Sequence, residues 1–142
     1  MTTEARIGHG TLLAWESSAG VYTTLAERAN ISGPGMQADQ PDATNMDSAN
    51  GWREFIAGLK DAGELTVEAN YLPGNATQNA TTGVLSLFAS QDLKNWKLTF
   101  PTTPAVDWIL PARVSAFEPD LPVDDKMMLS ITLKISGEPT LA

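Results

Sequence analysis

Apolar and polar residues alternate along much of this chain, and that alternation predicts a protein built mainly of antiparallel strands. The clearest case is 126–137, KMMLSITLKISG. Met127, Leu129, Ile131, Leu133 and Ile135 fall on one side, and Lys126, Ser130, Thr132, Lys134 and Ser136 on the other, with Met128 out of pattern. In 64–71, Leu65, Val67, Ala69 and Tyr71 alternate with Glu64, Thr66, Glu68 and Asn70. In 94–100, Trp96, Leu98 and Phe100 oppose Asn95, Lys97 and Thr99. The stretch 105–117 carries Val106, Trp108, Leu110 and Val114 on one parity and reads as a long, bent strand. Pro111 within it points to an edge or a bulge, because proline cannot donate to a ladder. Two further strands are predicted near 9–15 and 21–32.

Turn residues divide these strands. Asp61-Ala62-Gly63 separates a run at 53–60 from the strand at 64–71, and a short loop ending in glycine predicts a hairpin over 53–71. The polar connection 118–125, with Pro119 and Pro122, links the last two strands. One helix is predicted over 78–89, with Ala80, Val84, Leu87 and Phe88 on one stripe and Asn75 or Thr77 as its cap. It is expected to pack on the outside of a sheet. The segment 33–51 is rich in Gly, Pro, Asn, Asp and Ser and predicts a long loop without regular structure. No internal repeat appears.

Composition narrows the function. The 142 residues suit one domain whose core needs no staples. With no cysteine, disulfides and thiolate-held metals are excluded. The formal charge of −8, from 9 Lys+Arg against 17 Asp+Glu, argues against a protein that grips phosphates. No run of about 18 apolar residues and no leader is visible, so neither a membrane anchor nor secretion is expected.

Candidate chemistry is sparse. His9 is the lone histidine, and no G-x-S-x-G elbow or phosphate-binding glycine loop accompanies it. Asp120, Asp124 and Asp125 do not follow calcium-loop spacing and read as a solvated tip, as do Asp39, Asp42 and Asp47. No metal or cofactor is expected. Glu64 and Glu68 share a strand face, which is compatible with a hydrolase pair and more compatible with a solvated face. Three N-x-S/T triplets, at Asn30, Asn75 and Asn79, read as coincidence without a leader. Of Trp15, Trp52, Trp96 and Trp108, the last two sit on core parity, whereas Trp52 follows the long loop and is expected to be exposed.

Several short motifs, in order through nearly the whole chain, resemble the tail tube proteins of long flexible-tailed, lambda-like bacteriophages. They are Ile31-Ser32-Gly33-Pro34, Asp42-Ala43-Thr44, Trp52-Arg53-Glu54-Phe55 and Gly58-Leu59-Lys60-Asp61-Ala62-Gly63-Glu64. Asn70-Tyr71-Leu72-Pro73, Phe100-Pro101 and Leu133-Lys134-Ile135-Ser136-Gly137-Glu138-Pro139 complete the set. The resemblance implies a mainly β, antiparallel sandwich or barrel-like fold with one flanking helix and a long loop. It implies a non-enzymatic virion protein that forms hexameric rings, stacked into the conduit for DNA ejection. Expected partners are further copies of itself, a tape measure protein and tail tip or terminator proteins, with DNA passing unbound. The expected location is the phage tail, after synthesis in the host cytoplasm. The chain stops at Thr140-Leu141-Ala142, which suggests one tube domain over 1–142 without an immunoglobulin-like decoration.

Within that frame, the hairpin 53–71 is the candidate lumen lining, with Glu54, Glu64, Glu68 and Asn70 on its polar face and Lys60 as the cationic exception. The alternative is that this face is simply solvated outer surface. The loop 33–51 is the candidate ring-stacking contact, through Met36, Asp39, Asp42, Thr44 and Asp47, with Trp52 at its end. It is expected to be mobile before assembly and ordered by it. A monomeric sugar-binding sandwich, a small hydrolase, and the tube of a gene transfer agent or secretion device are the competing readings.

Overall fold

The computed structural model describes residue 3 and residues 5–141. The strands are β1 (Leu12–Ser18), β2 (Val21–Thr24), β3 (Arg28–Ser32), β4 (Gln37–Ala38), β5 (Lys60–Asp61), β6 (Glu64–Asn70), β7 (Lys94–Phe100), β8 (Val106–Asp120) and β9 (Met128–Ile135). Helix α1 spans Val84–Ser90, between β6 and β7. Seven strands form one sheet in the order β2-β1-β7-β8-β9-β6-β3, and β4 and β5 form a separate ribbon. All pairings are antiparallel.

The two edge strands, β2 and β3, are consecutive in the chain. The link Leu25–Glu27 reaches at most about 14 Å. In a flat sheet those edges would lie about 29 Å apart. The sheet therefore curls until its edges nearly meet, and its two halves face each other across one core. It does not close into a barrel. The link is anchored on both sides: Leu25 N donates to Leu13 O (2.9 Å) and Asn70 N donates to Glu27 O (2.9 Å). The single strand expected over 21–32 is thus two strands, broken where Glu27 adopts φ 58°.

Alternation fills the interior as expected. Leu65, Val67 and Ala69 lie opposite Leu133, Ile131 and Leu129, and all six are buried. Trp96 and Leu98 pack with Leu110, and Trp15 meets Trp96 with ring centroids 5.5 Å apart. Trp108 is half-buried and contacts Phe100 edge-on at 4.9 Å. Met127, expected on this apolar face, lies just before β9 and is exposed.

Other boundaries move for identifiable reasons. A turn at 8–10 delays the first strand to Leu12. Strand β8 is central, not an edge. Pro111 is tolerated because its carbonyl accepts from Ser136 N (2.8 Å), just past the end of β9. Its missing N–H points the same way, where no regular ladder is lost. The bulge lies further on, between Val114 and Ala116. Helix α1 starts at Val84, not 78, so Ala80 is outside it and exposed. Gly83, extended at φ −102° and ψ −165°, separates the preceding turns from the helix, and a Cβ there would lie 2.4 Å from Asn79 N. Asn79 Oδ1 accepts from the amides of Thr81, Thr82 and Gly83, while Asn75 caps its own turn through Thr77. Val84 and Leu87 face the core, and Gln91 Nε2 ties the helix end to Val114 O (2.9 Å).

Candidate assembly site

Residues 33–62 leave the sheet and return to it as an arm. The ribbon pairs Gln37 with Asp61 and Ala38 with Lys60. It continues through Asp39 N to Leu59 O and Gly58 N to Asp39 O (both 2.8 Å). Beyond these, Ile56 N donates to Pro41 O (3.0 Å), Ala43 N donates to Glu54 O (2.8 Å), and Asp42 bridges to Phe55. The predicted structureless loop 33–51 is therefore one side of a hairpin whose other side is 52–61. The predicted hairpin 53–71 does not form. Strand β5 pairs with β4, and the turn at Gly63, with φ 76°, redirects the chain into β6.

The tip is held by polar side chains. Thr44 Oγ1 accepts from Glu54 N (2.7 Å), and Ser48 Oγ donates to Glu54 Oε2 (2.8 Å). Asn45 Oδ1 accepts from Asp47 N (2.8 Å), and a short 3-10 turn over Ala49–Gly51 leads to Trp52. Arg53 Nη1 pairs with Asp42 Oδ2 at 3.1 Å. Hydrogen bonds from the Thr44 hydroxyl and then the Thr44 amide hold the Asp42 carboxyl below the usual carboxylate range, with Arg53 adding to the effect.

The arm's large apolar side chains have no cover among the described residues. Met46 is fully exposed, Trp52 is 75 % exposed, and Met36, Phe55, Ile56 and Leu59 are also exposed. Such a run of open apolar surface on one projection marks an interaction site. All six residues expected in the stacking loop, Met36, Asp39, Asp42, Thr44, Asp47 and Trp52, lie on this arm. The arm also carries Phe55, Ile56 and Leu59. Sequence reasoning missed these three because it assigned 53–60 to a sheet hairpin.

The second surface is the outer face of β3, β6, β9 and β8. Glu64 and Glu68 are exposed there, beside Lys134 and Ser130 of β9. Asn30 and Ser32 of β3 flank Glu68 and Thr66. After its bulge, β8 adds Glu118 opposite Ser130 and Asp120 opposite Met128. Both acids were read as connecting loop, because the bulge hides the change of parity. Asn70 sits at the end of this face, half-buried, with its Nδ2 donating to Glu27 Oε2 (3.2 Å). Glu54 and Lys60 belong to the arm, so the five candidate lumen residues do not form one surface.

The arrangement weighs against the competing chemistries. Four strand residues place Glu64 about 13 Å from Glu68. Glycosidase carboxylates stand roughly 5–9.5 Å apart. Trp15 and Trp96 are buried and Trp108 is half-buried, so a stacked aromatic platform for sugar does not form.

The fold recurs in solved structures. The virion of a native gene transfer agent particle contains a chain that matches with a TM-score of 0.76 at 14% identity, over 97% of this chain and 99% of that one. The SPP1 tail tube matches with a TM-score of 0.69 at 14% identity, over 96% and 79%. The sheath–tube complex of an extracellular contractile injection system matches with a TM-score of 0.67 at 12% identity, over 93% and 88%. These are likenesses of fold. No curated protein matches the sequence. At the level of family, residues 7–142 match the model of the lambda phage tail tube protein. That match spans the whole curled sheet and its arm, and the chain accordingly belongs to the lambda phage tail tube protein family, whose members are structural.

Proposed function

We propose that this chain is the repeating tile of a tail tube, assembled as hexameric rings that stack into a conduit for DNA. The observation that carries the proposal is the arm, a hydrogen-bonded hairpin whose exposed Trp52, Phe55, Ile56 and Leu59 find no cover among the described residues. A copy whose apolar projection is buried by the next copy makes a heterologous contact. Contacts of that kind produce rings where the rotation closes and filaments where it does not. The C6 symmetry of a gene transfer agent tail with the same fold supports six tiles per ring.

In this reading the arm stacks one ring on the next, and the outer face of β6 turns toward the lumen. Glu64, Glu68, Glu118 and Asp120 would then give the channel wall acidic character, so phosphates slide past without being held. The tile acts as one domain over 1–142. A tape measure protein inside the growing tube and tip or terminator proteins at its ends are the remaining partners. Their place is the tail of a phage or of a gene transfer agent, with synthesis in the host cytoplasm.

Negative-stain microscopy of the concentrated protein tests this. Rings or tubes are expected from the full chain, and tubes are lost when 42–55 is replaced by a two-residue turn at the end of the ribbon. Monodisperse monomer from the full chain at every concentration refutes the proposal. Normal tubes from the shortened chain refute the role of the arm.

A further inference from the structure

The arm has a candidate receptor on the same chain. A cleft of about 930 Å³ opens beside β3, one edge of the curled sheet, bounded by residues 6–11 and by the end of β7. Its floor is apolar, with Ile31, Leu98 and Phe100. Its charged rim is cationic: Arg6 and Arg28 line it together with His9, and among the described residues no Asp or Glu does. This is unexpected on a chain with 17 acidic residues and 9 basic ones.

Arg28 is fixed in place. Its Nε donates to Thr11 O (3.1 Å) and its Nη1 to Leu25 O, so its guanidinium ties β3 to the segment before β1 and to the link after β2. The ion pairs among the described residues are Arg53–Asp42 and Lys134–Asp61. Among the described residues neither cleft arginine has a carboxylate partner. The cleft thus suits a ligand that is both anionic and apolar.

The arm has that chemistry. Asp39, Asp47 and Glu54 on it have no cationic partner among the described residues, and Met46 and Trp52 stand exposed beside them. No residue of 36–61 lines the cleft of its own chain. We infer that the cleft between residues 6–11 and β3 receives the arm tip of a second copy, with Trp52 and Met46 on the apolar floor and the tip carboxylates at Arg6 and Arg28. Each tile then carries one projection and one socket, which is what an open head-to-tail polymer requires. The inference rests on the tube reading above and adds to it the surface that the arm meets.

The chain has no cysteine, so introduced thiols are the only ones present. Ala5→Cys next to the cleft and Ala49→Cys on the tip are placed at exposed residues that neither line the cleft nor make its inferred contacts. The double variant is assembled, imaged, and treated with a short bismaleimide. Tubes that yield a covalent ladder beyond dimers, with the linked peptides containing positions 5 and 49, support the inference; each single variant yields no ladder. Tubes without the ladder overturn it while leaving the tube reading intact. Absence of tubes from the unmodified chain removes both. Arg6→Glu is a second measure. It raises the concentration needed for assembly by up to about five-fold, and an unchanged concentration counts against the charge pairing.

Discussion

Gly63 lies against Gly35 so closely that a Cβ at position 63 would stand 2.2 Å from the Gly35 carbonyl oxygen. This contact is the shoulder where the arm joins the sheet. Gly63 also has φ 76°, and its amide donates to Asp61 Oδ1 (2.9 Å). Two independent demands therefore exclude a side chain. Gly63→Ala is expected to cost at least about 2 kcal/mol, since the left-handed conformation alone costs about 1–2 and backbone must also move. Urea denaturation measures this. Stability equal to the parent would mean that the shoulder is looser than described.

Gln78 is the fully buried polar side chain of the core. Its Oε1 accepts from Leu72 N (2.7 Å), and its Nε2 donates to Asn70 O (3.0 Å) and Ala26 O (3.3 Å). One side chain thus joins the edge link, the end of β6 and the turns before α1. Gln78→Ala strips partners from three partly buried backbone groups and is expected to destabilise by about 2 kcal/mol. Gln78→Glu keeps the shape and the acceptor but loses both donors. It is expected to be nearly as costly at neutral pH and to recover partly in acid, where the carboxylic acid again donates. A midpoint unmoved by either change would refute the assignment.

The parts of this fold that were legible in the sequence are those governed by period two. Leu65, Val67, Leu129, Ile131 and Leu133 declare the core because every other side chain on these strands must leave water. What was hidden depended on single events. Glu27 turns the chain in a left-handed conformation, and only glycine or asparagine advertises that geometry. The bulge after Val114 reverses parity and conceals Glu118 and Asp120. Gly83 is extended at the start of the helix and packed where no Cβ fits against Asn79, which no periodicity reports. The arm was half legible: its polar strand looked like a loop, and its partner strand looked like part of the sheet. The choice of β4 over β6 as the partner of β5 is made at the Gly63 shoulder.

Asp42 provides a titration test of the tip. Its folded pKa is depressed by Thr44 and then Arg53, so ionised Asp42 supports the tip above the ordinary carboxylate value of about 3.9. That support is lost as pH falls through the lower folded value. Carbon NMR of the Asp42 carboxyl should show the depressed midpoint. Thr44→Val removes the first cause and should move the midpoint up toward the ordinary value. Arg53→Ala should move it less. The reverse order would mean that the ion pair, not the Thr44 contacts, governs the tip.

The outer face of β6 yields the prediction closest to function. Across β6, β9 and β8, Glu68 and Glu118 flank Ser130 from opposite sides, about 10 Å apart. Like charges at that spacing make a wall that repels a polyanion while costing the fold little, because both side chains remain solvated. Glu64→Lys with Glu68→Lys changes the charge of each tile by four without touching the core. Such tubes are expected to form normally and to retain DNA at low salt, with retention lost as salt rises through release of counterions. Where the DNA lies decides which way the face points. In a lumen it is shielded from nuclease, whereas on an outer surface it is digested. Retained but digested DNA would assign the face to the exterior of the tube, and DNA that neither variant nor parent retains would show that these carboxylates do not set the channel's grip.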